Sequence, residues 1–247
     1  MPTSAQPDTL TALLAERARS GMLALVDRDR RVGYAELLDE SMRAAAGLRA
    51  LGVGPGDRVA IWLPNLTAWL AAFFACARLG AIALATNTRF RSAELADIVG
   101  RSGAKVLITW PGFDRTDFAG VLAGCPPQSL AGLAAVVCYD EPGPGGAQGA
   151  PAALPLPPGL PVHRYADLLA HAPLAGGAAA PGAGCAIFTT SGTTKAPKFV
   201  LHDQRTLVSH AFDVVRANGI DAESTMLLAP PLCGVFGVCN AMAMIAA

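Results

Sequence analysis

Phe188-Thr189-Thr190-Ser191-Gly192-Thr193-Thr194-Lys195-Ala196-Pro197-Lys198 is the stretch on which the reading of this chain turns. It follows the apolar run Cys185 to Phe188 and leads into Phe199-Val200-Leu201, so a hydroxyl-rich loop joins two β-prone segments. Hydroxyls and backbone N–H groups can surround phosphate oxygens at short range. Gly192 lets the backbone approach closely, and Lys198 supplies a point cation. The plainer alternative is a solvated Ser/Thr-rich surface turn. The stretch is not a P-loop of the usual kind, which needs Gly, four residues and then Gly-Lys-Ser/Thr opening a helix, because no such string occurs.

The loop does resemble the Ser-Gly-Thr-Thr-Gly-x-Pro-Lys-Gly signature of the adenylate-forming superfamily, which holds acyl-CoA synthetases, luciferases and the adenylation domains of peptide synthetases. Other segments resemble that family in the same order. Val32-Gly33-Tyr34-Ala35-Glu36-Leu37 is similar to its Thr-Tyr-x-Glu-Leu element, and Leu51-Gly52-Val53-Gly54-Pro55-Gly56-Asp57-Arg58-Val59 to its Leu-Gly-Val-x-x-Gly-Asp-x-Val turn and strand. Phe73 through Thr88, centred on Ala77-Arg78-Leu79-Gly80-Ala81, resembles its helix, glycine and strand. Leu228-Ala229-Pro230-Pro231-Leu232-Cys233-Gly234-Val235-Phe236-Gly237 resembles the Pro-Leu-Phe-His-x-x-Gly segment that borders the acyl pocket.

The resemblance implies an ATP-dependent acid–thiol ligase. A carboxylate attacks the α-phosphate of Mg-ATP and releases pyrophosphate, and a thiol, that of coenzyme A, then attacks the acyl-adenylate. Thr190, Ser191, Gly192, Thr193, Thr194 and Lys198 match the loop that holds the departing phosphates, and Cys233, Gly234 and Phe236 fall beside the acyl pocket. No catalytic residue and no protein metal ligand is assigned within these residues, since magnesium arrives with ATP. The later family motifs are absent, including the Tyr-Gly-x-Thr-Glu loop, the ribose-binding Asp, the hinge and the catalytic Lys. The chain therefore reads as an N-terminal portion of a larger ligase, inactive by itself and prone to self-association through exposed apolar surface. Two other readings stay open: a ligase that hands its acyl group to a carrier protein, and a catalytically silent nucleotide-binding homologue.

Three positions depart from the family pattern. Lys195 stands at the usual second glycine, where it reads either as an added phosphate ligand or as a solvated surface side chain. Phe199 stands where glycine normally follows Pro-Lys, and Gly234 replaces a bulky His or aromatic. Phe236, Trp62 and Trp69 read as core.

Composition is compatible with such an enzyme. Of 247 residues 52% are apolar, ample for a core, and 19 basic residues balance 19 acidic ones, so no net field recruits nucleic acid or an anionic membrane. The six cysteines Cys76, Cys125, Cys138, Cys185, Cys233 and Cys239 contain no C-x-x-C pair and sit mostly in apolar runs, which argues for small hydrophobes in a reducing cytoplasm. His163, His171, His202 and His210 have no ligand spacing. The apolar stretch Leu66 to Ala85 is long enough for a membrane span, but Arg78 and Gly80 break it into a helix and a strand.

Apolar periodicity alternates helices with short apolar strands, which predicts an α/β fold of doubly wound, mostly parallel sheets. Helices are expected at Tyr34 to Leu51, Leu66 to Leu79, Ser92 (as N-cap) to Arg101, Tyr165 to Ala170 and Gln204 to Ala217 behind Asp203. Strands are expected at Arg58 to Leu63, Ala81 to Ala85, Lys105 to Thr109, Ala134 to Tyr139, Cys185 to Thr189, Lys198 to His202 and Met226 to Ala229. Glu141 to Pro161, rich in Pro, Gly and Ala, reads as a surface loop or linker. Residues 1–180 are expected to form a first α/β subdomain and 181–247 the start of a second that carries the phosphate loop.

Overall fold

Residues 6–140, 154–177, 179–190 and 196–247 are described by a computed structural model of the chain. It opens with helix α1 (Leu10–Arg17), whose N-cap Thr9 accepts the Ala12 N–H at 3.2 Å and whose Leu10, Leu13 and Leu14 are buried. An antiparallel hairpin of β1 (Leu23–Asp27) and β2 (Arg30–Gly33) follows, with Arg28 in the left-handed region at φ 55°. Neither element stood out in the sequence, because α1 is only eight residues long and the strands carry no clean alternation. Helix α2 (Tyr34–Ala50) then buries Leu37, Ala44, Ala45 and Leu48 along one face, as expected.

Winding starts at β3 (Arg58–Trp62), α3 (Thr67–Leu79) and β4 (Ile82–Ala85). Helix α3 is buried on nearly every side and stops where Gly80 turns left-handed at φ 67°, a conformation that a side chain would resist. Next come α4 (Ser92–Ser102), β5 (Val106–Thr109), α5 (Phe118–Ala123), α6 (Pro127–Leu130) and β6 (Ala135–Cys138). Arg91, not Ser92, takes the N-cap position of α4: the Arg91 N–H donates to the Glu94 carboxylate at 2.6 Å, while the Ser92 hydroxyl donates to the Val121 carbonyl at 2.7 Å. Ser92 therefore ties α4 to α5 instead of closing a helix end.

Further along the chain lie β7 (Val162–Arg164), α7 (Tyr165–Leu169), β8 (Gly184–Thr190), β9 (Lys198–Asp203), α8 (Gln204–Asn218) and α9 (Val235–Ala246). The strand β7 falls just after the Pro/Gly-rich stretch, and its three half-buried residues are too few to show a pattern. Residues 141–153 of that stretch lie outside the described residues. Met226 to Ala229, expected as a strand, forms none: it has no ladder partner, and Leu227 is 89% exposed.

Seven strands build one sheet in the order β7-β6-β5-β3-β4-β8-β9, parallel throughout except for the antiparallel pair β8–β9 at one edge. From β3 the chain moves one way to β4 and then crosses back to β5, so the fold is doubly wound. The central strands β3, β5 and β6 are buried along almost their whole length, as parallel strands covered on both faces must be. Strand β8 joins β4 in this same sheet. Trp62 and Trp69 are fully buried, as expected of core residues; Trp62 packs edge-on against Phe118 at 4.4 Å, and its indole N–H donates to the Asn87 carbonyl at 3.1 Å.

Candidate functional site

The hairpin β8–β9 carries the candidate phosphate site. Cys185, Ala186, Ile187 and Phe188 are buried against the sheet, whereas Thr190 and Lys198 at the open end are exposed. The register sets Thr190 opposite Lys198 and Thr189 opposite Phe199. Residues directly opposite in an antiparallel pair project from the same face, so the Thr190 hydroxyl and the Lys198 ammonium flank the loop entrance together. Ser191, Gly192, Thr193, Thr194 and Lys195 lie outside the described residues. Among the described residues Lys198 makes no ion pair, so its charge is available to an anion.

Both ends of this hairpin are anchored. The Asp203 carboxylate ends β9 by accepting the Thr206 N–H at 2.7 Å, which caps α8 and holds the Asp203 carboxyl below its ordinary range. At the other end, the Arg101 guanidinium of α4 donates to the Pro197 carbonyl at 2.8 Å and lies over the Phe199 ring at 4.6 Å. Phe199 thus has a partner from a helix far away in sequence. Sequence reasoning found Phe199 only as a departure and missed Arg101, whose link to residue 197 spans 96 positions.

The second candidate cluster is the turn into α9. Asn65, in the connection between β3 and α3, donates through its side-chain amide to the Leu228 and Pro230 carbonyls at 3.1 and 2.9 Å, and its side-chain oxygen accepts the Leu232 N–H at 2.7 Å. This clip holds the segment before α9, and only the break at Pro64-Asn65 hinted at it in the sequence. Gly234 is the N-cap of α9, and Gly237 sits so close that a Cβ there would meet the Pro231 carbonyl oxygen at 2.1 Å. Cys233 is buried, and that burial raises its thiol above the ordinary range. Phe236, expected in the core, is 68% exposed and lines a cavity of about 400 Å³ with His210, Val214 and Cys239, because the first turn of α9 points it away from the sheet.

A larger cavity of about 660 Å³ lies between the β1–β2 hairpin, Asn65, residues 221–228 and the end of α9. Among the described residues, neither of these two cavities is lined by Thr190, Lys198, Cys233 or Gly234. All six cysteines are unpaired, and burial pushes the Cys76 and Cys185 thiols up to about 12 and that of Cys138 to about 11. Such thiols stay protonated and inert near neutral pH. Among the described residues no group of His, Cys, Asp or Glu is assembled that could hold a metal ion, and no helix is long and apolar enough to cross a membrane.

Comparison with known proteins places this geometry. The profile of a family described as "AMP-binding enzyme" matches residues 14–247. A feruloyl-CoA synthase of Amycolatopsis sp is 49% identical over 78 residues, which is 32% of this chain and 16% of that protein. The mitochondrial medium-chain acyl-CoA ligase ACSF2 of Homo sapiens is 31% identical over 135 residues, which is 50% of this chain and 22% of that protein. The inhibitor-bound N-terminal domain of FACL13 from Mycobacterium tuberculosis superposes with a TM-score of 0.75 at 26% identity, over 96% of this chain and 55% of that one. The chain thus spans about half the length of that solved domain.

Proposed function

We propose, because this chain belongs to the AMP-binding enzyme family, that the protein carrying it is an ATP-dependent, AMP-forming acid–thiol ligase with coenzyme A as acceptor. The observation that carries this reading is the pairing of Thr190 with Lys198 across the open end of β8–β9, with β9 anchored at both its ends. A hydroxyl and an uncompensated ammonium at one loop entrance suit the oxygens of a nucleoside triphosphate, and the residues between them, 191–194, would add hydroxyls and N–H donors. Magnesium bound to ATP would neutralise part of the phosphate charge.

In the first step a carboxylate oxygen forms a bond to the α-phosphorus while the bond to the bridging oxygen of pyrophosphate breaks. The work of Thr190 and Lys198 is to hold the β- and γ-phosphates in line and to stabilise the charge that collects on them as they leave. In the second step the thiolate sulfur attacks the acyl carbon and AMP departs. The buried Cys76 and Cys185, whose thiols burial keeps protonated, are poor rival nucleophiles, which is compatible with an external thiol as acceptor.

Cys233 and Gly234 are proposed to border the acid, with Asn65 fixing their segment. The relatives named above support the acyl-CoA class, and the chain covers too little of them to name the acid. A scan of carboxylic acids with the full-length protein tests the reading: pyrophosphate release that requires an acid, and acyl-CoA formation that requires coenzyme A, are the expected results. Pyrophosphate release with none of the acids, or transfer only to a carrier protein, would overturn it. The 247 residues alone are expected to form no acyl-adenylate.

A further inference from the structure

We infer that Arg101 is a positioning residue for the phosphate loop: held by Asp97, its guanidinium fixes Pro197 and Phe199 and thereby sets where Lys198 stands. The inference rests on the phosphate-loop reading above and adds to it a residue from outside the loop.

Arg101 is held from three directions. Its Nε and one terminal nitrogen donate to the two Asp97 oxygens, each at 2.7 Å, a forked pair four residues apart on α4. The same terminal nitrogen donates to the Pro197 carbonyl at 2.8 Å, and the guanidinium plane covers the Phe199 ring at 4.6 Å. Helix α4 is itself seated in the core by Leu95, Ile98 and Val99, so the frame behind Arg101 is rigid. Pro197 and Phe199 are the two neighbours of Lys198. A contact to each therefore fixes the backbone of the lysine, whose own side chain stays in solvent.

Phe199 explains why the clamp exists in this chain. A glycine after Pro-Lys would leave the strand entrance free to take many conformations, whereas a ring stacked on a guanidinium restricts it. Lys198 extends from a long, flexible stem, and its charge is useful only if its root is fixed beside Thr190. The Asp97–Arg101 pair is exposed on the helix surface, so by itself it adds little to stability. Its consequence lies in the orientation it gives Arg101.

Calorimetric titration of Mg-ATP into the full-length protein, with thermal midpoints measured alongside, tests the inference. Arg101→Ala is expected to weaken Mg-ATP binding about tenfold, through loss of one charged hydrogen bond and the stack. Phe199→Leu is expected to weaken it about two- to fivefold without changing its salt dependence, because no charge is lost. Phe199→Tyr keeps the ring and restores binding, while Arg101→Lys keeps the charge but neither fork nor stack and does not. Lys198→Ala reports on the underlying reading. If Lys198→Ala weakens binding while Arg101→Ala and Phe199→Leu bind as the parent does, the clamp is overturned and the loop reading stands. If Arg101→Lys binds like the parent, Arg101 acts as a distant charge and the clamp is likewise overturned. If Lys198→Ala itself binds like the parent, the phosphate-loop reading falls and this inference falls with it.

Discussion

Replacing Asn65 with alanine removes three hydrogen bonds that hold the segment before α9 to the connection between β3 and α3. Two of them, to the Leu228 and Pro230 carbonyls, are exposed, and water can take the place of the lost amide. The third is different. Leu232 is 2% exposed, and its N–H loses a 2.7 Å partner with little room for solvent. At about 0.5–1.5 kcal/mol per bond, with the exposed pair at the low end and the buried N–H at the high end, the expected loss is about 2 kcal/mol. For a chain of this size that lowers the thermal midpoint by about 4–8 °C. Asn65→Asp sharpens the test, because the carboxylate still accepts the Leu232 N–H but faces two carbonyl oxygens with no hydrogen to offer. At neutral pH it should be at least as damaging as alanine. Thermal scans of both variants, together with hydrogen exchange at the Leu232 amide, provide the measurement. Midpoints and exchange rates equal to those of the parent would show that the clip holds nothing, and Asn65→Asp more stable than Asn65→Ala would refute the donor argument.

Three further outcomes are expected. Lys198→Ala should lower the adenylation rate of the full-length protein about ten- to a hundredfold, with stability unchanged within about 0.5 kcal/mol because the side chain is exposed and unpaired; equal rates would remove its phosphate role. Asp203→Ala should cost about 1 kcal/mol in urea unfolding at neutral pH. Hydrogen bonds from Thr206 depress the Asp203 carboxyl below its ordinary 3.8, so its contribution is full above that value and fades as pH falls through the folded one; a parent and variant that differ equally in strong acid would contradict this. Glu40 behaves in the opposite sense. Burial raises its carboxyl above the ordinary 4.5 although Arg30 and Tyr165 pull it down, so the folded chain binds the extra proton and stability is lost as pH climbs through the raised value. Glu40→Gln should therefore gain on the parent across that range, and parallel stability curves would refute it.

The central strands were legible because their whole length is apolar. Val106-Leu107-Ile108 and Ala135-Val136-Val137 could be little else than strands covered on both faces, and each is buried as that pattern requires. Met226 to Ala229 carries a similar local signal and forms no strand. An apolar run becomes a strand only if a neighbour completes its ladder, and here Asn65 takes the Leu228 and Pro230 carbonyls instead. The converse holds for Val162-His163-Arg164, a strand because β6 offers an open edge and not because its residues alternate. In the candidate site, the loop residues stand out in the sequence because the chemistry proposed for them is local. Arg101 and Asn65 do not, because what each does is defined by a carbonyl 96 or more residues away.

The position of the candidate loop gives a physical reason for the proposed role of Lys198. In a strand-to-helix phosphate loop the helix N-terminus itself provides positive potential, the equivalent of about half a charge. Here the candidate loop is flanked by β8 and its antiparallel partner β9, and an antiparallel pair has almost no net dipole to offer. Under the proposed reaction, hydroxyls and backbone N–H groups can then shape the site, but the charge that would offset a departing pyrophosphate has to come from a side chain or from magnesium. Lys198 is rooted by the hairpin register opposite Thr190 and one residue inside the Pro197 contact. A cation displaced along β9 by one residue would project from the other face, where Phe199 meets Arg101. Moving the lysine to position 199 in the Lys198→Phe, Phe199→Lys double variant therefore keeps composition and net charge while sending the ammonium away from Thr190. Mg-ATP affinity should fall to the level of Lys198→Ala, and parental affinity in the swapped protein would show that net charge near the loop, not its register, is what matters.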